Sequence, residues 1–307
     1  MTFAFKAGPQ ASSPGPAVSV IGVGNMGGAM AARLCELGWP TAVHDIDRSK
    51  LDVLVPFGAL APADIAQAAT DSIATIVCVV DAVQTRDVLF GPHGVAASLP
   101  PGHMVLLCPT LAPQDVEAIA AELTLLGVDT LDCPMSGGPA RARDGSMSLM
   151  VACPDAVFQR CEPLLSALSG KVFHISERVG DGARTKLINN LLAGINLVGA
   201  AEVLALAGHM GLDVGATLDV IEQSSGQSWI GSDRMRRAIH DDLAPRAHMT
   251  LLAKDTRLAQ EAAALAGFVG PLGAVASAVF AAAVQAGLAD QDDGALLGFL
   301  QRPKMGR

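Results

Sequence analysis

The chain has 307 residues, half of them hydrophobic, and a formal net charge of −9. That length suits one large domain or two ordinary ones with a sizeable core. The acidic balance argues against non-specific nucleic-acid binding, which needs a basic face. The six cysteines, Cys35, Cys78, Cys108, Cys133, Cys153 and Cys161, form no C-x-x-C pair, and the histidines show no metal-ligand spacing. Neither a disulfide framework nor a metal site is expected, and reduced thiols suit a cytoplasmic protein.

Residues 1–16 hold Gly, Pro and Ser without a long apolar run and read as a disordered tail rather than a signal peptide. A β-rich run, Val18–Val23, then meets Gly22, Gly24 and Gly27 in the spacing G-x-G-x-x-G, and an alanine-rich helical pattern opens at once. This is the order a dinucleotide-binding turn needs. Gly22 turns the chain sharply, Gly24 lets a pyrophosphate approach the backbone, and Gly27 lets the helix pack on the sheet. The helix N-terminus adds free N–H groups and a partial positive charge. A short strand at Thr41–His44 ends at Asp45, 23 residues past Gly22. An acid there accepts hydrogen bonds from ribose hydroxyls and repels a 2′-phosphate, which favours NAD over NADP. Arg48 reads as a solvated charge at a helix start.

Further on, Ala63–Ala69 reads as a helix and Ile73–Val80 as a buried strand. Val83–Phe90 reads as a helix, Met104–Leu107 as a strand, Gln114–Leu126 as a helix and Val128–Leu131 as a strand. Asp155–Leu168 and Lys171–His174 repeat the alternation. This pattern predicts an α/β doubly wound sheet over residues 17–178. Strand signals then stop. Arg184–Met210 predicts one long, largely buried helix, and four helical stretches follow, making 179–307 an all-helical domain. Ala262–Ala289 has no charged residue and is long enough to span a membrane. Gly267, Gly270, Pro271 and Gly273 interrupt it, so two short buried helices broken at Phe268–Gly273 are expected instead.

Three places carry possible chemistry. Ser136-Gly137-Gly138, just past a strand end, offers backbone N–H groups and a hydroxyl suited to a carboxylate; the same residues also fit a plain hairpin turn. Lys186 and Asn190 share a helix face among apolar neighbours, where desolvation would lower the lysine's pKa toward the range of proton transfer. Lys254-Asp255 is an adjacent ion pair that on its own reads as a solvated face.

Together these segments resemble the β-hydroxyacid dehydrogenase family over residues 18–300. Gly22–Leu34 is similar to its cofactor glycine motif, DCPMSGG (Asp132–Gly138) to its substrate motif and GDGARTKLINN (Gly180–Asn190) to its catalytic motif. Lys254-Asp255 with Leu258-Ala259 is similar to a second cofactor-contacting motif. The resemblance implies a Rossmann domain joined by a long helix to an all-helical domain, assembled as a homodimer or homotetramer. It implies an NAD-dependent oxidoreductase acting on a small 3-hydroxy acid, such as 3-hydroxyisobutyrate, glycerate or threonate, with neither nucleic acid nor membrane as partner. Lys186 would be the acid/base and Asn190 its assistant. Ser136, Gly137 and Gly138 would hold the carboxylate. Gly22, Gly24, Asn25, Met26, Gly27, Asp45, Val79, Val80, Gln84, Thr110, Lys254 and Asp255 would contact the cofactor. Arg141 and Arg143 depart from the usual pattern by adding charge beside the substrate motif, which leans toward a more hydroxylated acid. An NADPH-dependent imine reductase on the same scaffold and a non-catalytic nucleotide-binding relative are the alternatives; Lys186 and Asp45 argue against the first, and the joint presence of Lys186, Asn190 and Ser136-Gly137-Gly138 against the second.

Overall fold

The computed structural model describes residues 17–301; the expected tail at residues 1–16 lies outside them. The chain divides into two compact units, one ending at Ala183 and one beginning at Arg184.

The first unit is built on a sheet of eight strands: β1 Val18–Ile21, β2 Thr41–His44, β3 Ala74–Val77, β4 Met104–Leu107, β5 Asp129–Asp132, β6 Met135–Ser136, β7 Ser148–Ala152 and β8 Lys171–Ser176. The order is β2-β1-β3-β4-β5-β7-β6, with β8 also paired to β7. Strands β1 to β5 run parallel, whereas β7 is antiparallel to β5 and β6. Alternate residues serve two cores. Ile76 and Leu106 join Met30 and Leu34 of helix α1 (Asn25–Glu36) on one face, and Val77, Val105 and Leu107 join Ile119 and Leu123 of helix α5 (Pro113–Leu125) on the other. Burial on both faces explains why these strands read as continuous apolar runs. Sheet order reverses at β1, with β2 on one side and β3 on the other, so the turn after β1 opens at the topological switch point where α/β sheets bind ligands.

Several expectations need correction. The strand expected at Ile73–Val80 stops at Val77, and Cys78, Val79 and Val80 leave the sheet toward helix α4 (Ala82–Phe90). The Asp81 side chain caps that helix by accepting from the Gln84 N–H at 2.9 Å. The segment 133–153 folds as β6, the short helix α6 (Gly138–Asp144) and β7, none of which the apolar pattern announced. Serine and glycine hide the period there, and Pro139 starts α6 at a position where its missing N–H costs nothing.

The second unit is helical: most of α8 (Asp181–His209), then α9 Val214–Glu222, α10 Trp229–Ile239, α11 Met249–Leu265, α12 Pro271–Ala283 and α13 Leu296–Gln301. Leu197, Leu204, Met235, Leu252, Phe280 and Leu296 form its core. Buried Arg237 is neutralised by Asp292 at 2.9 Å, and half-buried Arg234 pairs with buried Asp293 at 2.6 Å, as buried charge requires. The long helix is less buried than expected, since Ile188, Leu192, Val203 and Leu206 stand exposed. The apolar run 262–289 does break, between Leu265 and Pro271, but Leu272 and Val275 of α12 face outward. By length and composition alone, α8 and the run Pro271–Leu288 could each cross a bilayer; in this fold both contribute to the core of the second unit.

Candidate functional site

The glycine turn fits a dinucleotide. Gly22 has φ +89°, and a Cβ on it would stand 2.7 Å from the Cys78 carbonyl oxygen. A Cβ on Gly27 would run into the Gly22 carbonyl, so α1 can approach β1 only without one. Around Gly24, by contrast, a Cβ would meet no atom within 4 Å. That open space lies at the N-cap of α1, whose first turn carries no acidic residue and includes Asn25 and Met26. The leading N–H groups of a helix have no intrahelical acceptor and suit phosphate oxygens.

Asp45 lies directly after β2 and does structural work as well. Its Oδ2 accepts from the Val23 N–H at 2.9 Å, tying the glycine turn to the second strand. Its Oδ1 accepts from the Asp47 N–H at 2.9 Å and from Lys50 Nζ at 3.3 Å. Arg48 begins helix α2 (Arg48–Leu54) and is exposed. On the next loop the Gln84 side chain accepts from the Val80 N–H at 3.1 Å, and Val80 is exposed. Thr110 is half-buried past the end of β4. Gly22, Asp45, Val79, Val80 and Thr110 therefore follow the carboxyl ends of four parallel strands, the expected place for a ligand in such a sheet.

Ser136, Gly137 and Gly138 are not a plain hairpin. They close β6 and open α6, with Gly137 at φ +135° and Gly138 at φ +75°. A Cβ on Gly138 would meet no atom within 4 Å, so its backbone is open to approach. Of the two arginines expected to charge this site, Arg143 is turned away from it: its guanidinium pairs with Glu36 of α1 and lies over the Phe57 ring at 5.1 Å.

In the second unit four expected residues come together. The Asn190 amide donates to Asp255 Oδ2 at 2.6 Å. Lys254 Nζ stands 2.8 Å from Asp255 Oδ1, an ion pair whose alignment falls short of a hydrogen bond. Lys186 is 7% exposed. Burial pushes its ammonium down to about 8; the Asp255 charge opposes that and Lys254 adds to it. Lys254-Asp255 is thus no solvated face: Asp255 is buried and linked to both Asn190 and Lys254.

Asp132 stood only inside a motif at the level of sequence, and its own part was missed. Its carboxylate is buried and its Oδ2 accepts from the Gly180 and Ala183 N–H groups, each at 2.9 Å. It caps the first turn of α8, the helix that carries Lys186 and Asn190. Burial pushes it up to about 6 against those backbone hydrogen bonds. The strand reads Asp129-Thr130-Leu131-Asp132, so no apolar background set this acid apart in the sequence.

Comparison with known proteins agrees with this geometry. Residues 17–176 match the model of the NAD binding domain of 6-phosphogluconate dehydrogenase, and residues 180–300 match that of the NAD-binding domain of NADP-dependent 3-hydroxyisobutyrate dehydrogenase. The chain is 36% identical over 282 residues to the L-threonate dehydrogenase of Pectobacterium atrosepticum, covering 92% of this chain and 93% of the relative. It is 31% identical over 283 residues to the NAD-dependent L-serine dehydrogenase of Pseudomonas aeruginosa, covering 90% and 94%. The crystal structure of a 3-hydroxyisobutyrate dehydrogenase from Salmonella typhimurium superposes with a TM-score of 0.87 at 35% identity, over 93% of this chain and 100% of that one. With the matched domains and the dinucleotide turn in agreement, the chain belongs to the β-hydroxyacid dehydrogenase family of NAD(P)-binding oxidoreductases.

Proposed function

We propose that this protein oxidises a small 3-hydroxy acid, with L-threonate or a similar polyhydroxy acid foremost, using NAD in preference to NADP and Lys186 as the general base. The observation that carries the reading is the buried Lys186 with its partners on α11. A lysine titrating near 8 is available in both protonation states close to neutrality, which general acid–base catalysis requires. A bound nicotinamide supplies hydride acceptance and donation. Oxidation removes a hydride and a proton from the alcohol, and neutral Lys186 takes the proton; in reduction the ammonium returns it. Asn190, held by Asp255, would orient a hydroxyl or the amine. Ser136 and the backbone of Gly137 and Gly138 hold the carboxylate.

Residues 22–27 would hold the pyrophosphate, and Asp45 would meet the adenosine ribose. A carboxylate at that strand end supports NAD, because a 2′-phosphate would bring like charges together. Val79, Val80, Gln84, Thr110, Lys254 and Asp255 would be the protein's further cofactor-binding residues. The protein would work as a homodimer or homotetramer, a reading supported by the exposed apolar side chains of Leu265, Phe268, Val269, Leu272 and Val275.

A panel of hydroxy acids assayed for reduced dinucleotide, with NAD and NADP in parallel, tests this directly. The expected result is turnover of 3-hydroxy acids, fastest with L-threonate-like substrates and with NAD. No turnover of any hydroxy acid with either dinucleotide would overturn it.

A further inference from the structure

Asp132 holds the end of one element and the beginning of another. It is the last residue of β5 and is buried, and its Oδ2 accepts from the N–H groups of both Gly180 and Ala183 at 2.9 Å. Gly180 stands just before α8 and Ala183 lies in its first turn. N–H groups at a helix start have no intrahelical acceptor, so one carboxylate here fixes both where α8 begins and how it is rotated. Gly182 lets the helix come this close. A Cβ on it would stand 2.8 Å from the carbonyl oxygens of Asp132 and Met150 and 2.9 Å from the Asp132 Cγ. A second tie comes from the end of β8, where Ser176 Oγ donates to Asp181 Oδ2 at 2.8 Å.

The helix carries this position forward. Ala183 is buried in one cluster with Leu107 and Leu111. Lys186 follows three residues later and Asn190 four beyond that, spacings that put all three on one face of α8. Less than one turn, roughly 5 Å along the axis, separates the anchored residue from the lysine. A helix is stiff over so short a distance, so a shift or rotation at Ala183 is passed on to Lys186. Misplacing a reacting group by about 1 Å can cost about 100-fold in rate.

We infer that Asp132, through its hold on the first turn of α8, is a positioning residue for proton transfer at Lys186, setting the height and rotation of the helix face that carries Lys186 and Asn190. The inference rests on the reading of Lys186 as general base above. Gly182 serves the same anchor by leaving room for it.

The test compares Asp132→Ala, Asp132→Asn and Gly182→Ala with wild type. NADH titration counts the binding sites in each preparation. Turnover with NAD is then measured per site on L-threonate, or on 3-hydroxyisobutyrate where the wild type turns that over faster. Asp132→Ala removes the acceptor, and Gly182→Ala pushes the helix off it while Asp132 stays in place. Both are expected to lower kcat by about 10- to 100-fold, with NADH affinity and the KM of the hydroxy acid within about 3-fold of wild type. Asp132→Asn keeps an oxygen acceptor and should turn over at least about 5-fold faster than Asp132→Ala. A role confined to holding the fold would lower the melting temperature and leave kcat per site unchanged. That result, a loss carried by KM or NADH affinity, a loss of NADH binding in both alanine variants, or an Asp132→Asn no better than Asp132→Ala would overturn the inference while leaving the dehydrogenase reading intact. A wild type inactive on every hydroxy acid would overturn that reading and this inference with it.

Discussion

At the scale of single residues, the decisive feature is a lysine whose charge is costly to keep. Lys186 is nearly inaccessible, and burial outweighs the attraction of Asp255. As the proposed general base Lys186 must be neutral for oxidation, so the rate should rise with pH through about 8, and reduction should fall over the same range. The neighbours set the midpoint, with opposite signs. Asp255 holds the value up, so Asp255→Asn should move the midpoint of the kcat/KM profile to more acid pH by roughly half a unit to one unit. An asparagine there can still accept from Asn190, which keeps that hydrogen bond in place. Lys254→Met removes a like charge and should move the midpoint the other way. A midpoint that ignores both substitutions would mean that another group titrates in the profile.

At the scale of elements, the helix that carries Lys186 begins under the control of an acid some fifty residues earlier in the chain. Asp132 ends β5 and caps α8 through Gly180 and Ala183. A Cβ on Gly182 would stand 2.8 Å from the carbonyl oxygens of both Asp132 and Met150, so the first turn of α8 sits tight against β5 and β7. Burial raises Asp132 from 3.8 to about 6. The folded state therefore binds this proton more tightly than the unfolded chain. The stability it contributes is complete below about pH 4 and is lost as pH rises through about 6, an effect on the order of 3 kcal/mol. Asparagine at 132 keeps an acceptor and removes the charge. The stability difference between wild type and Asp132→Asn, measured by denaturant unfolding at pH 4 and pH 7, should shift against wild type at the higher pH. A difference that stays constant would show that Asp132 does not titrate in this window.

How far the sequence discloses these elements follows from their chemistry. Strands β3 and β4 are legible because burial on both faces makes them continuous apolar runs, and the glycine turn because Gly22 and Gly27 leave no room for a side chain while Gly24 keeps the helix N-terminus open. The β6–α6–β7 segment is hidden, since three of its strand residues (Ser136, Ser148 and Ala152) and much of its short helix are Ser, Gly, Ala or Arg. The pairing of Asn190 with Asp255 is hidden for another reason: the partners are 65 residues apart, and no local spacing announces such a contact. The outward apolar residues of α8 and α12 misled the reading because periodicity reports which residues are apolar and not what covers them.

At the scale of the whole molecule, those uncovered side chains bear on assembly. Val269 is 93% exposed and Leu272 64%, apolar exposure that supports the proposed assembly. Light scattering on the wild type should give the mass of a dimer or tetramer, and Leu272→Glu with Val275→Glu should lower it. A wild type of monomer mass would refute assembly. The central claim, however, is that one buried lysine converts a dinucleotide-binding protein into a hydroxyacid dehydrogenase. The measurement that tests it most directly is Lys186→Ala, followed by NADH titration and by turnover of L-threonate with NAD on the same preparation. Unchanged NADH affinity with turnover lost by at least about 100-fold is the expected result. Turnover near the wild-type rate in that variant would contradict it.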